Sequence, residues 1–407
     1  MADIVIRDGY LDGHDAVVDI EIDDGKIREI DTEVNREGVV ELNAQGNLVS
    51  PGLVDAHVHL DMSRSAYGNR CPKHNNTLLD MDVALEKSAS YFATSSRDEI
   101  HSNIQTAGEQ AIVNGVLHAR THAYVDSQVG ADVVEWVLDA REQFDILPEI
   151  EVVAFPQQGV VRDDGSAAAM RSALDAGADL AGGLDPDTLN GDRENTIQRW
   201  FDIATEYDVD LDVHIHESGP SGLQTLERLA AKTVDEGYEG RVTASHSYAL
   251  ADAATARAGD DADRLPELMD CFSEAAMEFI TCYQSTPVGM PIRRFHEAGL
   301  VMAHGTDQIH DLWGSHGNFD ALEAMLVESL KLQSYSTNRG LQRLWELITT
   351  KGADVLGIDG YDIEIGTPAN LVVHSASSPQ WAIVENETPA YVVKNGKLVA
   401  EDGALTE

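Results

Sequence analysis

Lysine is scarce in this 407-residue chain. Only 8 of its 28 basic residues are Lys, against 71 Asp plus Glu, which leaves a net charge of −43 at pH 7 with His neutral. So acidic a surface repels polyanions, which excludes nucleic acid and anionic membranes as partners. The three cysteines, Cys71, Cys271 and Cys282, are too few and too scattered for a disulfide framework or a thiolate zinc site, so a reducing compartment is the default expectation. No basic-then-apolar segment opens the chain and no apolar run is long enough to cross a bilayer, so a cytoplasmic location is expected.

The deficit of Lys, the strongly hydrated cation, suits a salt-adapted cytoplasm in which concentrated ions screen the repulsion among carboxylates. The plainer reading is an ordinary acidic protein. Length and a 43% hydrophobic content fit a globular enzyme-sized molecule.

Both ends of the chain alternate short β-type runs with turns. Ile4-Val5-Ile6 and Val17 to Ile22 are separated by Asp8-Gly9 and followed by Asp23-Asp24-Gly25, while Asn370 to His374 and Tyr391-Val392-Val393 precede Asn395-Gly396. Small antiparallel β structure is expected at each end. Between them, apolar strand-like runs alternate with helical segments such as Val133 to Phe144, Thr196 to Tyr207 and Phe319 to Gln333. The strand candidates are Val54 to His59, Gly115 to His122, Glu151 to Gln157, Leu180 to Leu184, Leu211 to His216, Val242 to His246, Glu278 to Tyr283 and Leu300 to Gly305. Eight parallel strands with helices outside close a (β/α)8 TIM barrel, so the fold class is α/β. The expected plan is a barrel over 51–364 and a small β-sandwich built from both termini, 1–50 plus 365–407. The acidic run Asp252 to Glu267 reads as a solvated helix or loop face.

His57, His59, His122, His214, His216 and His246 all fall at the C-terminal ends of strand candidates, where barrel enzymes build their active sites. A lone histidine is more often structural, so the argument rests on their joint placement. His57-Val58-His59 on one strand points both imidazoles to one face, able to grip a cation at about 2.0 to 2.1 Å. His214 can add a third nitrogen and Asp307 a hard oxygen, a set suited to zinc or iron with a position left for water.

At this point the chain resembles the amidohydrolase superfamily, most closely its cytosine deaminase-like branch. The resemblance rests on PGLVDAHVHLD (51–61), VVAFPQQG (152–159), DVHIHESG (212–219), VTASHSYAL (242–250) and HGTDQIHDLW (304–313). It implies one divalent ion held by His57, His59, His214 and Asp307, with Glu217 as proton shuttle and His246 orienting the attacking water. It further implies Gln157 on the substrate ring and Trp313 as a pocket wall. Gln308 stands where this branch typically carries a second acid, so the ring edge being read differs from that of cytosine. Isocytosine, a pterin or purine-like ring and an N-alkylamino-triazine of the isopropylammelide type are rivals to cytosine. His216 and His310 also crowd the site; either could contact substrate or cap a loop, and a loop-capping role is the simpler reading of each.

The implied reaction is hydrolytic removal of ammonia or an alkylamine from a small nitrogen heterocycle. The ion lowers the pKa of water toward about 7 to supply hydroxide, Asp307 takes the proton, and Glu217 protonates the ring nitrogen and leaving amine. No lysine occurs between Lys87 and Lys232, so the middle strands cannot supply the carbamylated lysine of two-metal amide hydrolases. A cyclic-amide hydrolase and a non-catalytic binding barrel are the alternatives. Family resemblance implies a homo-oligomer, although no interface is legible in the sequence.

Overall fold

The computed structural model describes residues 2–66, 81–254, 260–283, 289–331 and 333–406. Cys71 and part of the acidic run lie outside them. The C-terminal part of that run, Asp260 to Glu267, opens the helix Asp260–Glu274, where Leu265 is buried.

Eight parallel strands form the central sheet: β1 (Leu53–Val58), β2 (Val116–Tyr124), β3 (Glu149–Phe155), β4 (Leu180–Leu184), β5 (Asp210–His214), β6 (Val242–Ser245), β7 (Glu278–Cys282) and β8 (Met302–Gly305). Most are buried along their whole length, as a parallel sheet covered by helices requires. The barrel is joined between its first and last strands, where Val58 bridges Asp307 and the Asp307 N–H donates to the His57 carbonyl at 2.8 Å. A glycine is required at this seam. A Cβ on Gly305 would lie 2.3 Å from the His57 Cβ.

Helices such as Asp132–Gln143, Arg193–Tyr207 and Ala321–Lys331 pack outside, within a few residues of the segments read from periodicity. Arg193–Tyr207 shows why. Asp192 accepts from the Asn195 N–H at its start, and Ile197, Trp200, Phe201 and Ala204 make a buried stripe at helical spacing.

The terminal segments form two sheets. One orders the strands Lys26–Asp31, Val18–Asp23, Ala2–Gly9 and Gly38–Asn43; the other joins Val49–Pro51 to four strands between Leu371 and Leu405. Ile4, Ile6, Ile20 and Ile22 share one buried cluster with Leu371, Val373 and Val393. The first sheet is not purely antiparallel as expected, because Ala2–Gly9 pairs in parallel with Gly38–Asn43. After Asp31 the chain crosses to the opposite edge and arrives running the same way. Two tight turns, Asp24-Gly25 and Asn395-Gly396, carry positive φ at all four residues. They abut so closely that a Cβ on Gly396 would lie 2.5 Å from the Gly25 Cα.

Candidate metal centre and substrate cavity

The mouth of the barrel gathers its chemistry from strand ends and the residues just beyond them. His57 on β1, His59 one residue past it and His214 at the end of β5 place one nitrogen each within 4.8 Å of one another. His59 Nε2 and His214 Nε2 are 3.3 Å apart, and Asp307 Oδ1 lies 3.7 Å from His57 Nε2 and 3.6 Å from His59 Nε2. His57 Nε2 is buried and has no hydrogen-bond partner among the described residues. Burial and neighbouring imidazoles pull His57 and His214 well below the ordinary histidine pKa, and burial takes His59 to about 3. Three neutral imidazoles beside a carboxylate, with the three ring nitrogens within 4.8 Å of one another, could hold a divalent cation.

Second contacts aim these donors. His59 Nδ1 donates to the His122 carbonyl at 3.2 Å, which leaves Nε2 for the site. Buried Asp55 accepts from the Thr306 N–H at 3.0 Å and hydroxyl at 2.5 Å, fixing the turn that presents Asp307. His246, Ser247 and Asp307 all hold positive φ, at 66°, 46° and 67°. Non-glycine residues in that conformation are strained and cluster at functional sites.

A cavity of about 420 Å³ opens beside this centre. Among its lining residues are His59, His214, Asp307, His246, Gln157, Gln308 and Trp313. Gln157 Oε1 is buried and has no hydrogen-bond partner among the described residues. The Trp313 indole is fixed by donation from Nε1 to Ser88 Oγ at 2.8 Å, and its backbone N–H donates to Asp311 at 2.8 Å. The sequence reading missed Met62, Met81, Phe155, Leu184, Tyr248 and Asp311, which complete the lining. Phe155 stacks on His214 with ring centroids 4.2 Å apart. Asp311, pushed up to about 8 by burial, had a visible signal in its place within HGTDQIHDLW, as did Phe155 in VVAFPQQG and Tyr248 in VTASHSYAL; Met62, Met81 and Leu184 lie outside those motifs.

Two residues depart from expectation. Glu217 is buried but is not among the cavity-lining residues. One carboxylate oxygen accepts from the backbone N–H of Asp187 (2.7 Å) and Thr188 (2.9 Å), and the other accepts from the Thr225 hydroxyl. Burial is the main cause of its raised pKa. His216, read more simply as a loop cap than as a substrate contact, lines the cavity wall while also holding Asp185. Its backbone N–H donates to Asp185 at 2.6 Å, and its Nδ1 lies 3.1 Å from the other oxygen of that carboxylate. Burial alone would lower its pKa, yet Asp185, helped by Asp307 and Glu217, turns the net direction upward. His310 does tie its loop, with Nδ1 2.8 Å from the Ser315 carbonyl.

The chain belongs to the amidohydrolase family: the model described as "Amidohydrolase family" matches residues 48–399. It is 40% identical over 406 residues to N-isopropylammelide isopropyl amidohydrolase of Pseudomonas sp. (strain ADP), covering 99% of this chain and 98% of that protein. N-isopropylammelide isopropylaminohydrolase from Burkholderia multivorans ATCC 17616 superposes with a TM-score of 0.87 at 30% identity over 100% of both chains. The 5-methylcytosine deaminase of Klebsiella pneumoniae superposes with a TM-score of 0.85 at 23% identity over 99% of each, which shows the shared fold. The chain is therefore a hydrolase of carbon–nitrogen bonds other than peptide bonds, of the kind that releases an amine from a small nitrogen heterocycle. Among the described residues no helix is long and apolar enough to cross a membrane.

Proposed function

We propose that the chain hydrolyses the exocyclic C–N bond of an N-alkylamino-triazine of the N-isopropylammelide type, so that water and substrate give a ring carbonyl and a free alkylamine. The observation that carries this is the 40% identity over 99% of the chain to the Pseudomonas enzyme. The cavity supports it. Phe155, Leu184, Met62 and Trp313 offer an apolar wall for an alkyl group, while Gln157 and Gln308 offer amides that both donate and accept along a carbonyl-bearing ring edge.

His57, His59, His214 and Asp307 would hold a single divalent ion, zinc or iron, and the lack of lysine between Lys87 and Lys232 supports one ion rather than two. When bound, that ion supplies the Lewis acidity that brings the pKa of water toward about 7. In this reading His246 orients the attacking water, Asp307 accepts its proton, and Gln157, Gln308 and Trp313 position the ring. For the proton delivered to the leaving amine, the motif names Glu217 and the geometry favours His216. Glu217 reaches the cavity only by giving up its bonds to Asp187, Thr188 and Thr225, whereas His216 already lines the wall.

A release assay for isopropylamine and ammonia over alkylamino-triazines, cytosine and pterins, with metal content measured on the same sample, tests the reading. Release of isopropylamine with about one ion per chain supports it, and ammonia from cytosine as the main product overturns the triazine assignment. The charge of −43 supports a further part of the proposal, adaptation to a salt-rich cytoplasm. The unfolding temperature should then climb between about 0.1 M and about 2 M KCl, as the Debye length shrinks, and a flat profile refutes salt adaptation.

A further inference from the structure

We propose that Asp212 and Ser245 are positioning residues that fix the tautomer and aim of His57, so that a charge pair deep in the barrel sets up a donor at its mouth. The inference rests on the metal-centre reading above, in which His57 is a ligand.

The argument follows from who can donate to whom. Arg120 on β2 donates from Nη1 to Asp212 Oδ2 at 3.0 Å, and a guanidinium is always charged, so the Asp212 carboxylate is ionised and can only accept. Ser245 Oγ is 3.0 Å from Asp212 Oδ1, and the hydroxyl therefore spends its single proton there. Towards His57 Nδ1, also 3.0 Å away, the same oxygen can only accept. Nδ1 must carry the imidazole proton, and Nε2 is left as a bare lone pair facing the other donors.

The rest of the setting reinforces this polarity. Arg120 is locked by Glu151 Oε2 at 2.9 Å and by the Val355 carbonyl at 2.9 Å. Asp212, Ser245 and His57 are fully buried, so water cannot substitute for the relay. His122 Nε2 lies 3.3 Å from Asp212 Oδ1, and toward it too the carboxylate can only accept. His59 obtains the same tautomer from a backbone carbonyl, which no substitution can delete; His57 depends on side chains, which makes its arrangement testable.

The test uses the full-length protein, stripped of metal and titrated with Zn²⁺ against a chromogenic chelator. Ser245→Ala should weaken zinc binding about 10- to 100-fold, the scale on which outer contacts to a ligating histidine act. Its metal-free unfolding temperature should stay near that of the unmodified chain, because the Arg120–Asp212 pair is kept. Ser245→Thr should restore affinity. Asp212→Asn should also weaken it, since the amide can donate to Ser245 and turn the hydroxyl's proton toward Nδ1, favouring the wrong tautomer. The Co²⁺-loaded absorption spectrum should shift in Ser245→Ala and return in Ser245→Thr, which a purely structural role would not produce. Zinc affinity of Ser245→Ala within about twofold of the unmodified chain, with an unchanged Co²⁺ spectrum, overturns the proposal. Failure of the unmodified chain to bind zinc or cobalt overturns the metal-centre reading itself, a result distinct from the first.

Discussion

The mouth and the floor of the barrel bury ionisable groups in opposite ways. On the floor, Arg120 sits between Glu151 and Asp212, so a cation and two carboxylates enter the interior together. At the mouth, His57, His59, His214 and His246 are all driven toward the neutral form, chiefly by burial. The floor satisfies itself, whereas the mouth gathers donors that complete one another only around something else. The two clusters differ in where their charge is balanced, the first among its own members and the second only around a bound partner.

Substitutions that treat the two ends alike should give different outcomes. His214→Ala or Asp307→Ala should abolish metal loading and lower turnover about 10³-fold or more, from several kcal/mol of lost Lewis-acid stabilisation, while the fold persists; elemental analysis and circular dichroism check this. Arg120→Met at the floor strands Asp212 and Glu151 and should cost about 3–5 kcal/mol of folding stability, read by denaturant unfolding. Equal stability loss at mouth and floor would erase the distinction. Within the mouth, His216→Ala should lower kcat/KM by about 10²-fold at unchanged metal content and exceed the effect of Glu217→Gln. The reverse order would return the proton-shuttle role to Glu217. Smallest, Trp313→Ala should raise KM for an alkylated substrate by about tenfold, the worth of one lost apolar contact, and leave kcat nearly unchanged.

The eight strands were legible because short runs rich in Val, Ile and Leu, bounded by turn signals, survive in the sequence as separate units. Several of their ends were read too far along. The expected strands finish at His59, Gln157, His216 and His246, but the sheet stops at Val58, Phe155, His214 and Ser245. Those extra residues are the ones that leave the sheet to face the cavity, and His246 does so through a left-handed backbone that no strand pattern encodes. The convergence of His57, His59, His214 and Asp307 was legible because each is tied to a strand end. The direction of Glu217 was not, since it depends on the Asp187-Thr188 turn and on Thr225, which come from other elements. The parallel pairing of Ala2–Gly9 with Gly38–Asn43 was likewise hidden, because it is decided by a crossover rather than by either strand.

At the junction of β1 and β8, the backbone that supplies His57 and His59 is bonded to the backbone that supplies Asp307, with the His59 N–H returning to the Asp307 carbonyl at 3.0 Å. A cation gripped by side chains from both edges would therefore act as a clasp on the cylinder. Loading it and fastening the cylinder become one event, and a chelator should quicken amide hydrogen exchange at these residues ahead of the rest of the sheet.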